Sequence, residues 1–228
     1  ENKLIERGFE AIIIKSGHEW ILGRTIAVQD YKAYSKRDFG RPVRDARNGM
    51  LPPKLAQIMI NLASAPIDST VYDPFCGSGT ILQEALFLGY RDIYGSDIEK
   101  KNITDSLTNI EWLYRSFGMP LITDEKIFIS DVLSPSKKIL ANAIIGEGFL
   151  GEPITRRRDK ALADTNKLAQ FYLEALTILK DQLQDDGTMV IAIPFYIVDK
   201  EYFYLPIMDK IEKIGLETID YIPGDIEI

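Results

Sequence analysis

The 228 residues suffice for one sizeable α/β domain with a short appendage and exclude two full enzymatic domains. Hydrophobic (46%) and charged (27%) fractions are those of a soluble globular protein, while a net charge of −7 argues against a domain that grips nucleic acid by its overall charge. A single cysteine rules out an intrachain disulfide, and neither a signal peptide nor a run of about 20 apolar residues is present, so a cytoplasmic location is expected.

Residues Phe9–Lys15 and Trp20–Gln29 are rich in strand formers around Ser16-Gly17 and predict a hairpin, and Asp30–Gly49 reads as a polar linker. Pro52 and Pro53 stand where a helix starts, with Leu55, Ile58, Met59 and Leu62 at helical spacing. From Ser69 onward strands and helices alternate. The predicted order is Thr70–Tyr72 (strand), Thr80–Leu88 (helix), Asp92–Gly95 (strand), Glu99–Phe117 (helix) and Lys126–Ser130 (strand). Pro135–Asn142 (short helix), Ala143–Gly146 (strand), the long helix Lys160–Leu183 and the strand Thr188–Pro194 follow. A helix over Tyr202–Ile214 and a strand over Leu216–Ile222 close the chain. Such alternation implies an α/β fold, a mostly parallel, doubly wound sheet with helices on both faces. Ligands in these sheets lie beyond the carboxyl ends of the strands, so functional residues belong just after strands. The start at Glu1 rather than Met predicts a piece of a longer protein.

Directly after the first strand of this series comes Asp73-Pro74-Phe75-Cys76-Gly77-Ser78-Gly79-Thr80 and then a helix. Gly77 and Gly79 let the backbone turn sharply and lie against a ligand. The helix that follows offers free N–H groups and a positive dipole end, which suit a carboxylate. The pattern is neither the dinucleotide GxGxxG nor a P-loop, which needs Lys before Ser or Thr. It reads as an S-adenosylmethionine-binding loop of a Rossmann-like methyltransferase, with a methionyl carboxylate at the helix end. Asp97, in Gly95-Ser96-Asp97-Ile98, can accept hydrogen bonds from both ribose hydroxyls, or can simply cap the next helix. Asp131, with Ser130 and Val132 beside it, can accept from the adenine amino group, or again serve as a cap. Cys76 reads as packing. The only histidine, His18, lies in a turn and supports neither a triad nor a metal site.

DPFCGSGT, preceded by RPVRDARNGMLPPKLAQIMINLA (Arg41–Ala63), resembles the THUMP-associated tRNA guanosine-N2 methyltransferases, class I S-adenosylmethionine-dependent enzymes. The resemblance runs from about Gly23 to about Leu183 and is strongest at Arg41–Ala63 and Asp73–Gly89. It implies that Asn48, Gly49, Met50, Leu51 and Pro52 pack across the cofactor. It also implies an RNA-binding module upstream, with residues 1–49 as the remnant of that connection and residues 50–228 as the methyltransferase domain. The family's catalytic signature is Asp or Asn, Pro, Pro, then Tyr or Phe, after the fourth strand. Here Glu147-Gly148-Phe149-Leu150-Gly151 stands instead, with Pro153 beyond it. Glu147 can still accept a hydrogen bond from an amino group, the Gly148 carbonyl can share that task, and Phe149 can stack on a base. The missing double proline predicts a more flexible loop.

The expected reaction is therefore methyl transfer to the exocyclic amine of a guanosine in tRNA, with S-adenosylhomocysteine as product and no metal. Arg37, Arg41 and Arg44, in a run with Lys36 and Arg47, and Arg156, Arg157 and Arg158 are the cations expected to meet the nucleic acid. Two alternatives stand beside this: an amino-methyltransferase of adenine or cytosine in DNA, and a cofactor-binding module without catalysis.

Overall fold

The computed structural model describes residues 8–44, 50–151 and 158–221, the side chains of residues 158–161 excepted. The chain forms two compact units, Glu1–Gly40 and Arg41–Ile228.

In the first unit β1 (Ala11–Ser16) pairs antiparallel with β2 (Glu19–Arg24) across a turn in which Gly17 takes φ +60°. The predicted hairpin is present, and it leaves Ile13, Trp20 and Leu22 exposed. The predicted polar linker is not all linker: α1 (Tyr31–Phe39) forms within it. Asp30 caps this helix, its Oδ1 accepting from Ala33 N at 3.0 Å. The segment has no apolar stripe, so its local helix signals were confined to its ends, this cap at the start and Lys36, Arg37 and Gly40 at the finish.

The second unit is built on five strands, β3 (Thr70–Asp73), β4 (Asp92–Asp97), β5 (Ile127–Ile129), β6 (Ala141–Glu147) and β7 (Leu183–Ala192). They lie in the order β5-β4-β3-β6-β7, all parallel. The chain steps outward from β3 to β5, then crosses back to place β6 on the other side of β3. That reversal opens a crevice at the carboxyl ends of β3 and β6, where α/β sheets bind ligands.

Alternate residues of the strands face opposite layers. Val71, Ile93, Ile127, Ala143 and Ile145 pack with Ile60, Leu82, Leu86, Ile110 and Leu113. These last come from α2 (Pro53–Ala63), α3 (Thr80–Leu88) and α4 (Lys100–Phe117). Tyr72, Phe128 and Ile144 face the other way, against Ala175 and Leu179 of α5 (Arg158–Lys180). Burying a large aliphatic side chain stabilises by about 1.5–3 kcal/mol, so these two layers dominate the energetics. The sheet is doubly wound, as its alternating elements imply. Among the described residues no helix is long and apolar enough to cross a membrane.

Three predicted elements are absent. Residues 135–140 form no helix: Ser134 N bonds the Asp131 carbonyl, Ser136 N bonds Ser130 Oγ, and β6 already begins at Ala141. In place of a helix over Tyr202–Ile214 stands a hairpin of β8 (Phe195–Val198) and β9 (Glu201–Tyr204), followed by the short α6 (Met208–Ile211) and a 3₁₀ turn, Glu212–Ile214. Asp199 and Lys200 take φ +50° and +69°, the left-handed pair that a two-residue hairpin turn needs. Aromatic residues with strand propensity flank that turn, and Phe195, Tyr202 and Tyr204 stack on one face with ring centroids 5.5–6.2 Å apart. Residues 216–221 join no sheet, because apolar alternation does not itself supply a partner strand; Ile222 lies outside the described residues.

Candidate active site

The loop after β3 is a tight, internally bonded turn. Asp73 Oδ1 accepts from Phe75 N at 3.0 Å, Cys76 N bonds Ser96 O at 2.9 Å, and Gly79 N bonds Cys76 O at 2.7 Å. Gly77 and Gly79 have φ +51° and +83°, a region that side chains disfavour. A Cβ on Gly79 would also lie 3.0 Å from Ser106 Oγ. Gly79 occupies the N-cap of α3 with no side-chain cap, which leaves the helix N-terminus open to an anion.

Asp97, at the end of β4, ties three segments together. Its Oδ2 accepts from Gly77 N at 3.0 Å, and its Oδ1 from Glu99 N at 2.9 Å and Asn102 Nδ2 at 3.0 Å. The capping and site readings of Asp97 are thus not exclusive. Three of its about four acceptor positions are used, leaving one for a further donor. Asp131 likewise closes its own turn, Oδ1 accepting from Leu133 N at 2.9 Å.

Sequence reasoning missed the polar face of α4. Asn109 is fully buried; its Nδ2 donates to Ser78 O at 2.9 Å and to Val43 O at 3.1 Å, and its Oδ1 accepts from Val43 N at 3.1 Å. Ser106 Oγ donates to Gly77 O at 2.7 Å. The signal was available: Asn102, Ser106 and Asn109 recur at four and three residues, one polar stripe on a helix whose other buried positions are aliphatic.

These loops and the segment after β6 line one cavity of about 800 Å³, within the range of about 300–1,000 Å³ typical of small-molecule sites. Met50, Leu51, Asp73–Ser78, Thr80, Asp97, Ile98, Ser130, Asp131, Val132 and Glu147–Gly151 reach it, as do Phe171 and Tyr196, which the sequence did not single out. Of the expected residues, Pro52 caps α2 and Gly79 caps α3; neither lines the cavity. Asn48 and Gly49 lie outside the described residues.

Burial pushes the Asp73 carboxyl well above the ordinary carboxylate range, opposed by the Phe75 N–H and reinforced by the charges of Asp97 and Glu147. Burial also raises the Glu147 carboxyl, and it lifts the Cys76 thiol far from reactive values. Phe149 sets its ring edge-on to Phe171, centroids 6.1 Å apart, and Phe171 in turn meets Phe75 at 6.4 Å. One wall is therefore carboxylate-lined and another aromatic. Such a site suits a ligand that is cationic in part and carries a flat ring.

Among the expected nucleic-acid cations, Arg41 is buried and its Nη1 donates to Thr80 Oγ1 at 2.7 Å, so here it braces α3 rather than facing solvent. The Arg37 guanidinium lies over the Tyr34 ring at 4.5 Å, and Arg44 is exposed. Arg47, Arg156, Arg157 and the Arg158 side chain lie outside the described residues.

Residues 41–113 match the family model described as RMKL-like, methyltransferase domain. A tRNA (guanine(10)-N2)-dimethyltransferase of Methanothermobacter thermautotrophicus is 28% identical over 183 residues, 78% of this chain and 48% of that protein. The protein of the same name from Methanocaldococcus jannaschii is 41% identical over 63 residues, 28% of this chain and 18% of that protein. The chain thus spans about half or less of the length of these relatives. A crystal structure of TrmN from Thermus thermophilus aligns at 19% identity with a TM-score of 0.49, covering 86% of this chain and 58% of that one. The RMKL-like segment holds the glycine turn, Asp97 and Asn109 but ends before Glu147. Ten of the 25 residues that line the cavity therefore lie outside the matched span.

Proposed function

We propose that the chain transfers a methyl group from S-adenosylmethionine to the exocyclic amine of a guanosine in tRNA. The observation that carries this reading is that the Gly77–Gly79 turn, Asp97, Glu147 and Phe149 share one cavity. The names of the two archaeal relatives supply the substrate class.

The donor fits the residues present. The open N-terminus of α3 matches a carboxylate, the spare acceptor position of Asp97 matches a ribose hydroxyl, and the buried carboxyl of Asp73 matches a neighbouring cation. When bound, the donor supplies a methyl group already activated on a sulfonium, so the protein's task is positioning and exclusion of water. Asp131 keeps Oδ2 for an adenine amino group while Oδ1 holds its turn. Phe149 offers a ring face to an extruded base, worth roughly 1–3 kcal/mol. Glu147 and the Gly148 carbonyl would accept hydrogen bonds from the two amino N–H groups, which fixes the amine in the cavity. An amine that takes up a methyl group would have to give up one N–H proton. Glu147, lifted by burial, is poised to take it.

Transfer of labelled methyl from S-adenosylmethionine to bulk tRNA and to duplex DNA tests the reading. Label enters tRNA with the natural chain. Glu147→Ala cuts transfer at least a hundredfold while donor affinity stays within about twofold. Labelled DNA with unlabelled tRNA would replace the substrate; tight donor binding with no transfer to either would make this a cofactor-binding module.

A further inference from the structure

The loop Glu147-Gly148-Phe149-Leu150-Gly151 contains two glycines and no proline, so its backbone has little stiffness of its own. Its shape is nonetheless fixed from outside. Tyr172, on α5, donates its hydroxyl to the Phe149 carbonyl at 3.0 Å, and Tyr196, on β8, donates to the Leu150 carbonyl at 3.0 Å. Gly148 N bonds the Ala192 carbonyl of β7 at 3.3 Å. The glycines are what let the hydroxyls approach: a Cβ on Gly148 would collide with the Tyr172 hydroxyl and ring, and one on Gly151 with the Tyr196 hydroxyl. Gly151 also takes φ +83°. Burial raises both phenols, Tyr172 further through the charges of Glu147 and Tyr196, and Tyr196 further through Asp164. Each therefore keeps at neutral pH the proton that it donates.

We propose that Tyr172 and Tyr196 are positioning residues of the acceptor subsite, holding Glu147 and Phe149 in register with the methyl donor through two consecutive carbonyls of the loop. This rests on the reading that Glu147 and Phe149 receive the acceptor. The loop is pre-organised, so acceptor binding bears little ordering cost. Helix α5 and the β8–β9 hairpin supply, through side chains, the rigidity that the loop's own composition lacks. Neither hydroxyl touches the reacting atoms in this scheme; each acts only through the loop.

The test uses the whole chain with Tyr172→Phe, Tyr196→Phe and the double variant, which remove a single oxygen each. Peptide-resolved amide exchange over residues 147–151 should accelerate about fivefold per lost hydroxyl, with α3 and α4 unchanged. With tRNA as acceptor, kcat should fall about tenfold in each single variant and about a hundredfold in the double. KM and Kd for the donor should stay within twofold, a split that general destabilisation would not produce. Gly151→Ala supplies a second perturbation, and its loss of turnover should be smaller in the Tyr196→Phe background. Unaltered exchange in the double variant overturns the proposal, and so does faster exchange with natural turnover. If the natural chain methylates no tRNA, the proposed activity fails instead, while exchange still decides whether the hydroxyls hold the loop.

Discussion

Gly77 donates its backbone N–H to the Asp97 carboxylate across 3.0 Å, joining the loops that leave two neighbouring strands. The same carboxylate holds Glu99 N and Asn102, so the floor of the cavity is a bonded unit before any ligand arrives. Asp97→Ala should both loosen that floor and remove the acceptor proposed for the ribose. Hydrogen bonds to a charged group contribute about 1.5–3 kcal/mol, so S-adenosylhomocysteine affinity should fall about tenfold to a hundredfold by calorimetry. Affinity within twofold of the natural chain would take Asp97 out of the cofactor site.

Asp73 gives a pH dependence with a definite sign. Its folded-state carboxyl is raised, by burial first. The associated stability is complete below the ordinary carboxyl value of about 3.9 and is lost as pH rises through the raised value. Asp73→Asn keeps an acceptor for Phe75 N and buries no charge. Urea unfolding from pH 4 to pH 8 should show Asp73→Asn gaining on the natural chain as pH rises, with the two converging in acid. Parallel pH profiles would remove Asp73 as the source. The same variant should bind the cationic donor more weakly than the natural chain does, because the carboxylate that would face it is gone.

Asn109 holds the segment at Val43 and the loop at Ser78 to one helix. Asn109→Ala leaves three backbone groups short of a partner in a fully buried place. Each such group costs about 1–3 kcal/mol, so a loss of about 3 kcal/mol is expected, with Tm lower by roughly 6–12 °C. Thermal unfolding measures it; a shift under about 2 °C would show that water replaces the amide there.

Gly79→Ala meets two obstacles at once, a backbone at φ +83° and a side chain 3.0 Å from Ser106 Oγ. Strain of about 1–3 kcal/mol is expected, together with weaker donor binding, since the turn and the N-terminus of α3 move together. Adding Ser106→Ala should relieve the contact with Oγ but not the backbone strain, and it also gives up the bond to the Gly77 carbonyl. Full recovery would show that the left-handed conformation is not required.

Much of this site is local, and local features were legible in the chain. A strand ending in Asp73, two glycines and a helix start sit within about a dozen residues, where propensity, turn chemistry and capping agree. The match of Asp97 and Asp131 to strand ends follows from the same alternation. The predicted flexible loop at Glu147–Gly151 shows the limit, because its restraint comes from hydroxyls 23 and 46 residues away from the carbonyls they bond.

An α/β chain with a glycine turn after β3 was already written in the sequence, because strand and helix periods and glycine conformations are properties of neighbouring residues. The sequence could not determine that Tyr172 and Tyr196 converge on the loop after β6, nor that Tyr202–Tyr204 form a strand rather than a helix. Those outcomes depend on which strands become neighbours and on cross-strand partners such as Phe195. The tertiary structure decided them, because a hydroxyl's partner and a strand's partner are set by contacts between segments far apart in the chain.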